Sequence, residues 1–387
     1  MNSSVKNIPP LTSIRGIAAL SVVILHFSYY ALPKTGEVLS SYTDFFYNSY
    51  LWVDFFFMLS GFIMSHVYFT YFSSSVNLHK YGSYLLSRFA RIYPLHIFVL
   101  LLFIGLEIIK IFLPNAEPFT GKFNLLALFA NVFLLQAFAL DCPPLFWCNT
   151  YWNEPAWSIS VEFVIYLIFP FLLVKLLSKH QNHDLLIYVC SFVLLLFVTL
   201  TRGNLDTVVG IPSIARCGLE CILGIITYKV YQKGSYQKYW HNNLLTIIAL
   251  SWIIVVFNFG WGDSRLIRSV HDWIVLPAFS LLILSLSGKN NGFIAKYLNS
   301  SFMIYLGKIS YSIYMIHWWL QELIKTWWFY NFNNSFGSKF NEYECLLSLG
   351  IFIGVVLLIA SLTYRFVEIP MRNSLKYRLL AIQSLHR

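Results

Sequence analysis

The chain has 387 residues, of which 58% are hydrophobic and 11% carry Asp, Glu, Lys or Arg, where an ordinary soluble domain is roughly a quarter charged. With an aromatic share of 19% and a mean hydropathy of +0.63, too much apolar surface is present for a water-soluble globule to hide; disorder, coiled coil, collagen and disulfide-rich secreted scaffolds are excluded as well. A net charge of +10, from 27 Lys and Arg against 17 Asp and Glu, is too sparse for a nucleic-acid surface and reads as a set of topology signals.

In chain order, eleven apolar segments stand out, at 12–30, 49–72, 92–113, 123–138, 157–177, 184–200, 210–231, 243–261, 271–287, 306–328 and 342–366. Crossing the hydrocarbon core takes about 20 apolar residues. The first segment does not read as a cleaved signal peptide, because Arg15 and His26 interrupt it and no small-residue cleavage site follows. Basic residues then sort the loops: Lys6 and Arg15 at the start, His79, Lys80, Arg88 and Arg91 in the second loop, Lys229, Lys233 and Lys238 near 235, Lys289, Lys296 and Lys308, and Arg365, Arg372, Lys376, Arg378 and Arg387 at the end all point inside. Both termini on one side require an even count. The shortest segment, 123–138, is therefore expected to be re-entrant or interfacial, which leaves an all-α polytopic membrane bundle of ten transmembrane helices. A single membrane domain over 1–387 with no fused soluble domain is expected, ending in a basic cytoplasmic tail at 373–387.

Cys142 and Cys148 fall in the Pro-rich stretch DCPPLFWCNTYWNEP on the external side, where an oxidising compartment permits a disulfide without demanding one. Cys190, Cys217, Cys221 and Cys345 lie in apolar runs and read as small core residues. Cys and His show no zinc spacing, and no metal is expected.

Charges within spans are costly, so each is a functional candidate. Arg15 and His26 share the first span; eleven residues apart, they are about 16 Å apart along the axis and on nearly the same face. A snorkelling Arg and a hydrogen-bonded core His would give the same pattern. Asp54 in the second span and Glu162 in the fifth lie near the depth of His26, so two carboxylates and an imidazole are expected to share a layer in which the imidazole is the base and a carboxylate steadies it. Capping of loop backbone is the competing role for both acids. Arg88 and Arg91, three apart, share a helical face at the inner surface and with Arg15 form a cationic mouth suited to phosphate, although positive-inside anchoring would also explain them. Arg216 and Glu220, at i and i+4, read as an internal ion pair. His317 lies mid-span among Tyr311, Tyr314, Trp318 and Trp319, in packing or substrate contact. Phosphate-loop, serine-elbow and H-E-x-x-H motifs do not occur, which removes most support for redox, protease and ATPase functions.

These motifs together resemble the acyltransferase 3 family of integral membrane O-acyltransferases, from about Leu11 to Arg372. Arg15 and His26 match its Arg-x10-His pattern, VDFFFMLSGFIM its second-span motif, Arg88 and Arg91 its Arg-x-x-Arg, WSISVEFVIYLIFP its Trp-Ser-Leu-Ser-Val-Glu motif, and GKISYSIYMIHWWL and RFVEIPMR its last two blocks. Phe163 departs from the acidic or Trp residue of many relatives. The resemblance implies transfer of an acyl group, usually acetyl, from cytoplasmic acetyl-CoA to a sugar hydroxyl of a surface polysaccharide or lipid-linked oligosaccharide, in a bacterial cytoplasmic (inner) membrane with both termini cytoplasmic. It makes Arg15, Arg88 and Arg91 the holders of the CoA phosphates. His26 becomes general base or transient acyl carrier, assisted by Glu162 or Asp54. Trp152, Asn153 and Trp157, with His317, are candidate sugar contacts, as aromatic faces and polar groups suit a glycan. A transporter or flippase of lipid-linked sugars would also use buried charges and aromatic loops.

Overall fold

A computed structural model describes residues 7–73, 75–138, 151–177, 183–234, 243–259, 264–288 and 292–375. The described residues contain helices and no strand. In chain order the helices are α1 (Pro9–His26), α2 (Pro33–Ser40), α3 (Trp52–Phe72), α4 (Leu78–Lys110), α5 (Leu125–Val132), α6 (Trp157–Leu176), α7 (Asp184–Arg202), α8 (Gly210–Lys233), α9 (Asn243–Asn258), α10 (Arg265–Ile274), α11 (Leu276–Ser287), α12 (Phe293–Leu298), α13 (Ser301–Lys308), α14 (Ser310–Phe332) and α15 (Glu342–Thr363). Two π-helical segments, Phe27–Ala31 and Tyr364–Glu368, extend α1 and α15.

Among the described residues, eight helical stretches are long and apolar enough to cross a membrane: Pro9–Ala31, Tyr47–Phe72, Leu78–Lys110, Glu154–Leu176, Asp184–Arg202, Gly210–Lys233, Arg265–Ser287 and Glu342–Leu375. The remaining two expected spans fall on α9, a shorter apolar helix, and on α14, which is 23 residues long and carries Glu322 and Lys325. In the 123–138 region α5 has eight residues, about 12 Å of rise and less than half of the hydrocarbon thickness. Asn124 caps it through Ala127 N at 2.8 Å, and a 3-10 turn at Gln136–Phe138 follows.

Three boundaries differ from expectation. The third span begins at Leu78 rather than 92, because the Asn77 side chain accepts from Lys80 N at 2.8 Å and starts the helix early. Arg88 and Arg91 thus stand inside α4, not in a loop. The 306–328 segment breaks at Ile309 into α13 and α14, and 271–287 breaks at Val275 ahead of Pro277, where a ring without an N–H starts a helix readily. Cysteines 217, 221 and 345 are buried as expected, but Cys190 faces outward on α7. Cys142 and Cys148, and the tail beyond Leu375, lie outside the described residues.

Close crossings of small residues set the bundle. A Cβ on Gly61 would stand 2.2 Å from the Cys221 carbonyl oxygen, and one on Gly224 would stand 2.0 Å from that of Met58. Backbone of α3 therefore lies directly on backbone of α8, the contact that glycine permits between membrane helices. The same holds for α1 on α13, where a Cβ on Gly307 would meet the Thr12 carbonyl oxygen at 1.9 Å. Around this centre, α7 exposes Leu185, Leu186, Val189, Val193, Leu194 and Phe197, and α15 exposes Leu347, Ile351 and Leu358. Such outward apolar rows suit contact with lipid.

Candidate active site

A cavity of about 420 Å³ runs between α1, α3, α4, α6, α14 and the end of the α15 extension. Along α3 its lining reaches from Val53 to Val67, about 21 Å at 1.5 Å per residue. The space is therefore a channel elongated along α3.

One end is strongly basic. Arg15, Arg88, Arg91, Lys308 and Arg372 line the channel with only two carboxylates, Glu162 and Glu368, a surplus of three positive charges. Arg88 is fixed by a hydrogen bond from Nη2 to the Tyr68 hydroxyl at 3.0 Å and by stacking over that ring at 5.1 Å, while its buried Nε has no partner. Arg15 lies within electrostatic reach of Arg91, Glu162 and Glu368. Among the described residues, the salt bridges involve neither Arg15, Arg88 nor Arg91. Three guanidinium groups held in a bundle without carboxylate partners are costly unless an anion answers them. The structure thus brings the expected mouth together and adds Lys308 and Arg372, which sequence reasoning assigns to topology. Lys308 reaches the channel through the break at Ile309. The π-helical turn Tyr364–Glu368 carries both Tyr364 and Glu368 on the channel wall, with Arg372 one turn further on. π segments concentrate at functional sites for this reason: the extra residue re-aims side chains.

Glu162 also lines the channel. Its Oε1 accepts from the Ser60 hydroxyl at 2.6 Å and from Tyr166 at 2.7 Å. It belongs to the lining of the basic channel, which does not include His26.

His26 ends α1, directly before the π-helical turn Phe27–Ala31. Its Nδ1 lies 2.8 Å from His317 Nε2, with the two rings inclined by 13°. Nδ1 of His317 lies 3.2 Å from the Ile313 carbonyl oxygen. A carbonyl can only accept, so His317 carries its proton on Nδ1 and offers Nε2 as acceptor. With both rings neutral, His26 must then carry its proton on Nδ1, which leaves the Nε2 lone pair free. Edge-on contacts to Tyr30 at 5.7 Å and Trp318 at 5.1 Å complete the surroundings, and Tyr30 is 52% exposed.

The remaining expected residues have other neighbours. Asp54 is fully buried and holds Arg216 in a two-pronged ion pair, Nε to Oδ1 at 2.7 Å and Nη2 to Oδ2 at 2.8 Å. The expected layer shared with His26 is therefore corrected: the nearest cation takes both carboxylate oxygens. The expected Arg216–Glu220 pair is secondary, at 3.9 Å. Trp157 backs Arg216 at 5.4 Å and Phe57 at 5.9 Å. Trp152 is fully enclosed, with its indole N–H on the Asn124 carbonyl at 3.3 Å. Neither ring presents a free face to a sugar. Asn153 is buried and donates to the Met315 carbonyl at 3.0 Å, and His317 is a partner of His26 rather than a surface contact. Among the described residues, no group of three His, Cys, Asp or Glu is placed to hold a metal.

Comparison with known proteins agrees with the motifs. The sequence model of an acyltransferase domain family matches residues 11–365. Acyltransferase MdmB of Streptomyces mycarofaciens is 26% identical over 339 residues, covering 82% of this chain and 80% of its own. O-acetyltransferase OatA of Staphylococcus aureus strain NCTC 8325 is 22% identical over 395 residues, covering 96% of this chain and 58% of its own. The chain thus spans little more than half the length of the staphylococcal relatives. No solved structure matches it. With the match extending over nearly all of the helical bundle, the chain belongs to the acyltransferase 3 family.

Proposed function

We propose that the protein is a membrane O-acyltransferase that moves an acetyl group from acetyl-CoA to a sugar hydroxyl on the opposite side of a bacterial cytoplasmic membrane. The observation that carries this reading is the arrangement along α1: Arg15 in an elongated basic channel, and His26, about 16 Å further along the helix, with a free Nε2 beside an exposed tyrosine. Acetyl-CoA has a polyanionic nucleotide and a thin arm. Arg15, Arg88 and Arg91 suit the phosphates, which guanidinium groups bind in bidentate fashion, and the elongated channel beside them suits the arm. The positive-inside rule puts the basic end in the cytoplasm. On the other side, Tyr30 and Trp318 flank His26, and the exposed Tyr30 offers a ring face to a pyranose of a polysaccharide or lipid-linked oligosaccharide.

The chemistry follows from the tautomers. His26 Nε2 takes the proton of the acceptor hydroxyl as its oxygen attacks the thioester carbonyl carbon. The imidazolium formed keeps Nδ1–H on His317 Nε2, a charge-assisted hydrogen bond that is stronger in the transition state than in the ground state. Collapse of the tetrahedral intermediate breaks the C–S bond, and the leaving thiolate recovers the proton from His26, giving the sugar ester and free CoA. Glu162, bonded by Ser60 and Tyr166, orients the channel wall within electrostatic reach of Arg15. Purified protein supplied with radiolabelled acetyl-CoA and lipid-linked oligosaccharide should form an alkali-labile sugar ester, and His26→Ala should abolish it. Movement of the oligosaccharide across vesicles without ester formation would favour a flippase instead.

A further inference from the structure

We infer that Glu154, with Trp318 and Gln321 of α14, forms the sugar subsite beside Tyr30, and that this subsite takes an uncharged, hydroxyl-rich ring and rejects one bearing a carboxylate. The inference rests on the proposed transfer to a sugar and deepens it. Glu154 opens a 3-10 turn, Glu154–Ala156, that is tied to α14 on either side of it. Asn153 donates to the Met315 carbonyl at 3.0 Å, and the Tyr314 hydroxyl donates to the Pro155 carbonyl at 3.0 Å. Residue 154 is thereby held against the turn of α14 that leads into His317 and Trp318. Among the described residues, the groups within electrostatic reach of Tyr30 are Asp206, Glu154 and Tyr47, so the field around that exposed ring is acidic.

Hydrogen-bonding capacity here is left over in both directions. Lys122 and Lys325 are within electrostatic reach of Glu154, but both are bound to one oxygen of Glu322, at 3.4 Å and 3.1 Å. Among the described residues the half-buried Glu154 has neither an ion pair nor a hydrogen bond of its own. On α14, Trp318 packs on Tyr30 at 5.8 Å and on His26 at 5.1 Å, with Lys122 over its ring at 5.8 Å. It is 3% exposed, and its indole N–H has no partner; Gln321, 2% exposed, has none for its side-chain NH2. Three residues apart, the two donors share a face of the helix, and leaving them unanswered is costly. A carboxylate only accepts and these two groups donate. A sugar hydroxyl does both: its proton goes to Glu154, and its oxygen takes an N–H from α14, which holds the ring with a neighbouring hydroxyl at His26. A carboxylated ring brings like charge against Glu154 and Asp206 instead.

Purified protein supplied with labelled acetyl-CoA and matched pairs of lipid-linked oligosaccharides, ending in neutral hexoses or in the corresponding hexuronates, tests this. Wild type should esterify the neutral members with a kcat/KM at least about tenfold above that of their hexuronate partners, the direction that like-charge juxtaposition imposes. Glu154→Gln keeps the size and an acceptor oxygen but not the charge. It should lower kcat/KM for neutral acceptors by about three- to tenfold, the difference between a charged and a neutral hydrogen bond, and narrow the neutral-to-hexuronate ratio by about fivefold or more. Gln321→Leu should raise KM for neutral acceptors by about three- to tenfold, whereas a merely structural glutamine would leave KM unmoved. Binding of acetyl-CoA, measured by calorimetry, should match wild type in both variants, since neither residue lines the channel; this shows that they fold, and either variant serves if the other does not. A wild-type preference for hexuronates, an unchanged ratio in Glu154→Gln or an unchanged KM in Gln321→Leu would overturn the inference and leave the acetyltransferase reading standing. No transfer to any acceptor would overturn both.

Discussion

Replacing His317 by Ala isolates the feature on which the proposed chemistry turns. Two hydrogen bonds, 2.8 Å from His26 Nδ1 and 3.2 Å to the Ile313 carbonyl, fix which nitrogen of each ring is protonated. Without His317, the neutral His26 ring distributes its proton over both nitrogens, and the imidazolium loses a hydrogen bond from a charged donor. Such a bond contributes roughly 1.5–3 kcal/mol, which corresponds to a loss of about 10- to 150-fold in kcat/KM. Steady-state transfer of labelled acetyl to oligosaccharide measures the loss. Direct binding of acetyl-CoA should be unchanged, because His317 is outside the channel lining. His317→Gln, whose side-chain oxygen can accept from His26 Nδ1, should recover part of the rate. Wild-type kcat/KM in His317→Ala would refute the tautomer argument, and so would a fall in kcat/KM that is wholly accounted for by weaker CoA binding.

Arg91→Ala should weaken acetyl-CoA binding by about tenfold, the loss of one charge-assisted contact, while binding of desphospho-pantetheine analogues stays as in wild type; calorimetry in detergent measures both. Asp54→Ala leaves Arg216 charged and enclosed, so it should destabilise the fold by about 3–5 kcal/mol, visible as a lowered thermal midpoint, whereas the double change Asp54→Leu with Arg216→Met should recover much of it. Gly224→Ala forces a Cβ against the Met58 carbonyl and should cost about 1–3 kcal/mol by the same measurement. Incubation with labelled acetyl-CoA in the absence of acceptor should leave no label on the protein; stable label on His26 would point to an acyl-enzyme route.

Much of the architecture was legible because hydrocarbon tolerates so few alternatives: apolar runs of the right length became helices, and the short 123–138 run holds an eight-residue helix and a 3-10 turn. Arg15, Arg88, Arg91 and Glu162 were legible as candidates because a charge in an apolar run has few structural excuses, and all four line one channel. Lys308 and Arg372 were hidden by the same logic that sorts the loops, since any basic residue near the inner end is already explained by topology. Their entry into the channel depends on the helix break at Ile309 and on the π-helical turn after Thr363, neither of which leaves a mark in composition. Partnerships were the least legible. His26 and His317 are 291 positions apart, and Asp54 and Arg216 are 162 apart; spacing within a helix cannot reveal a partner on another one. Depth alone placed Asp54 with His26, but a bidentate cation at 2.7 Å outweighs a shared depth.

The central claim is that donor and acceptor meet at His26 from opposite sides of the membrane. Proteoliposomes with the basic end facing outward, given labelled acetyl-CoA outside and lipid-linked oligosaccharide whose sugar is inside, test it directly. The account predicts labelled ester on the enclosed sugar with wild type and none with His26→Ala. Label appearing only on sugar exposed on the acetyl-CoA side, or undiminished in the His26 variant, would contradict it.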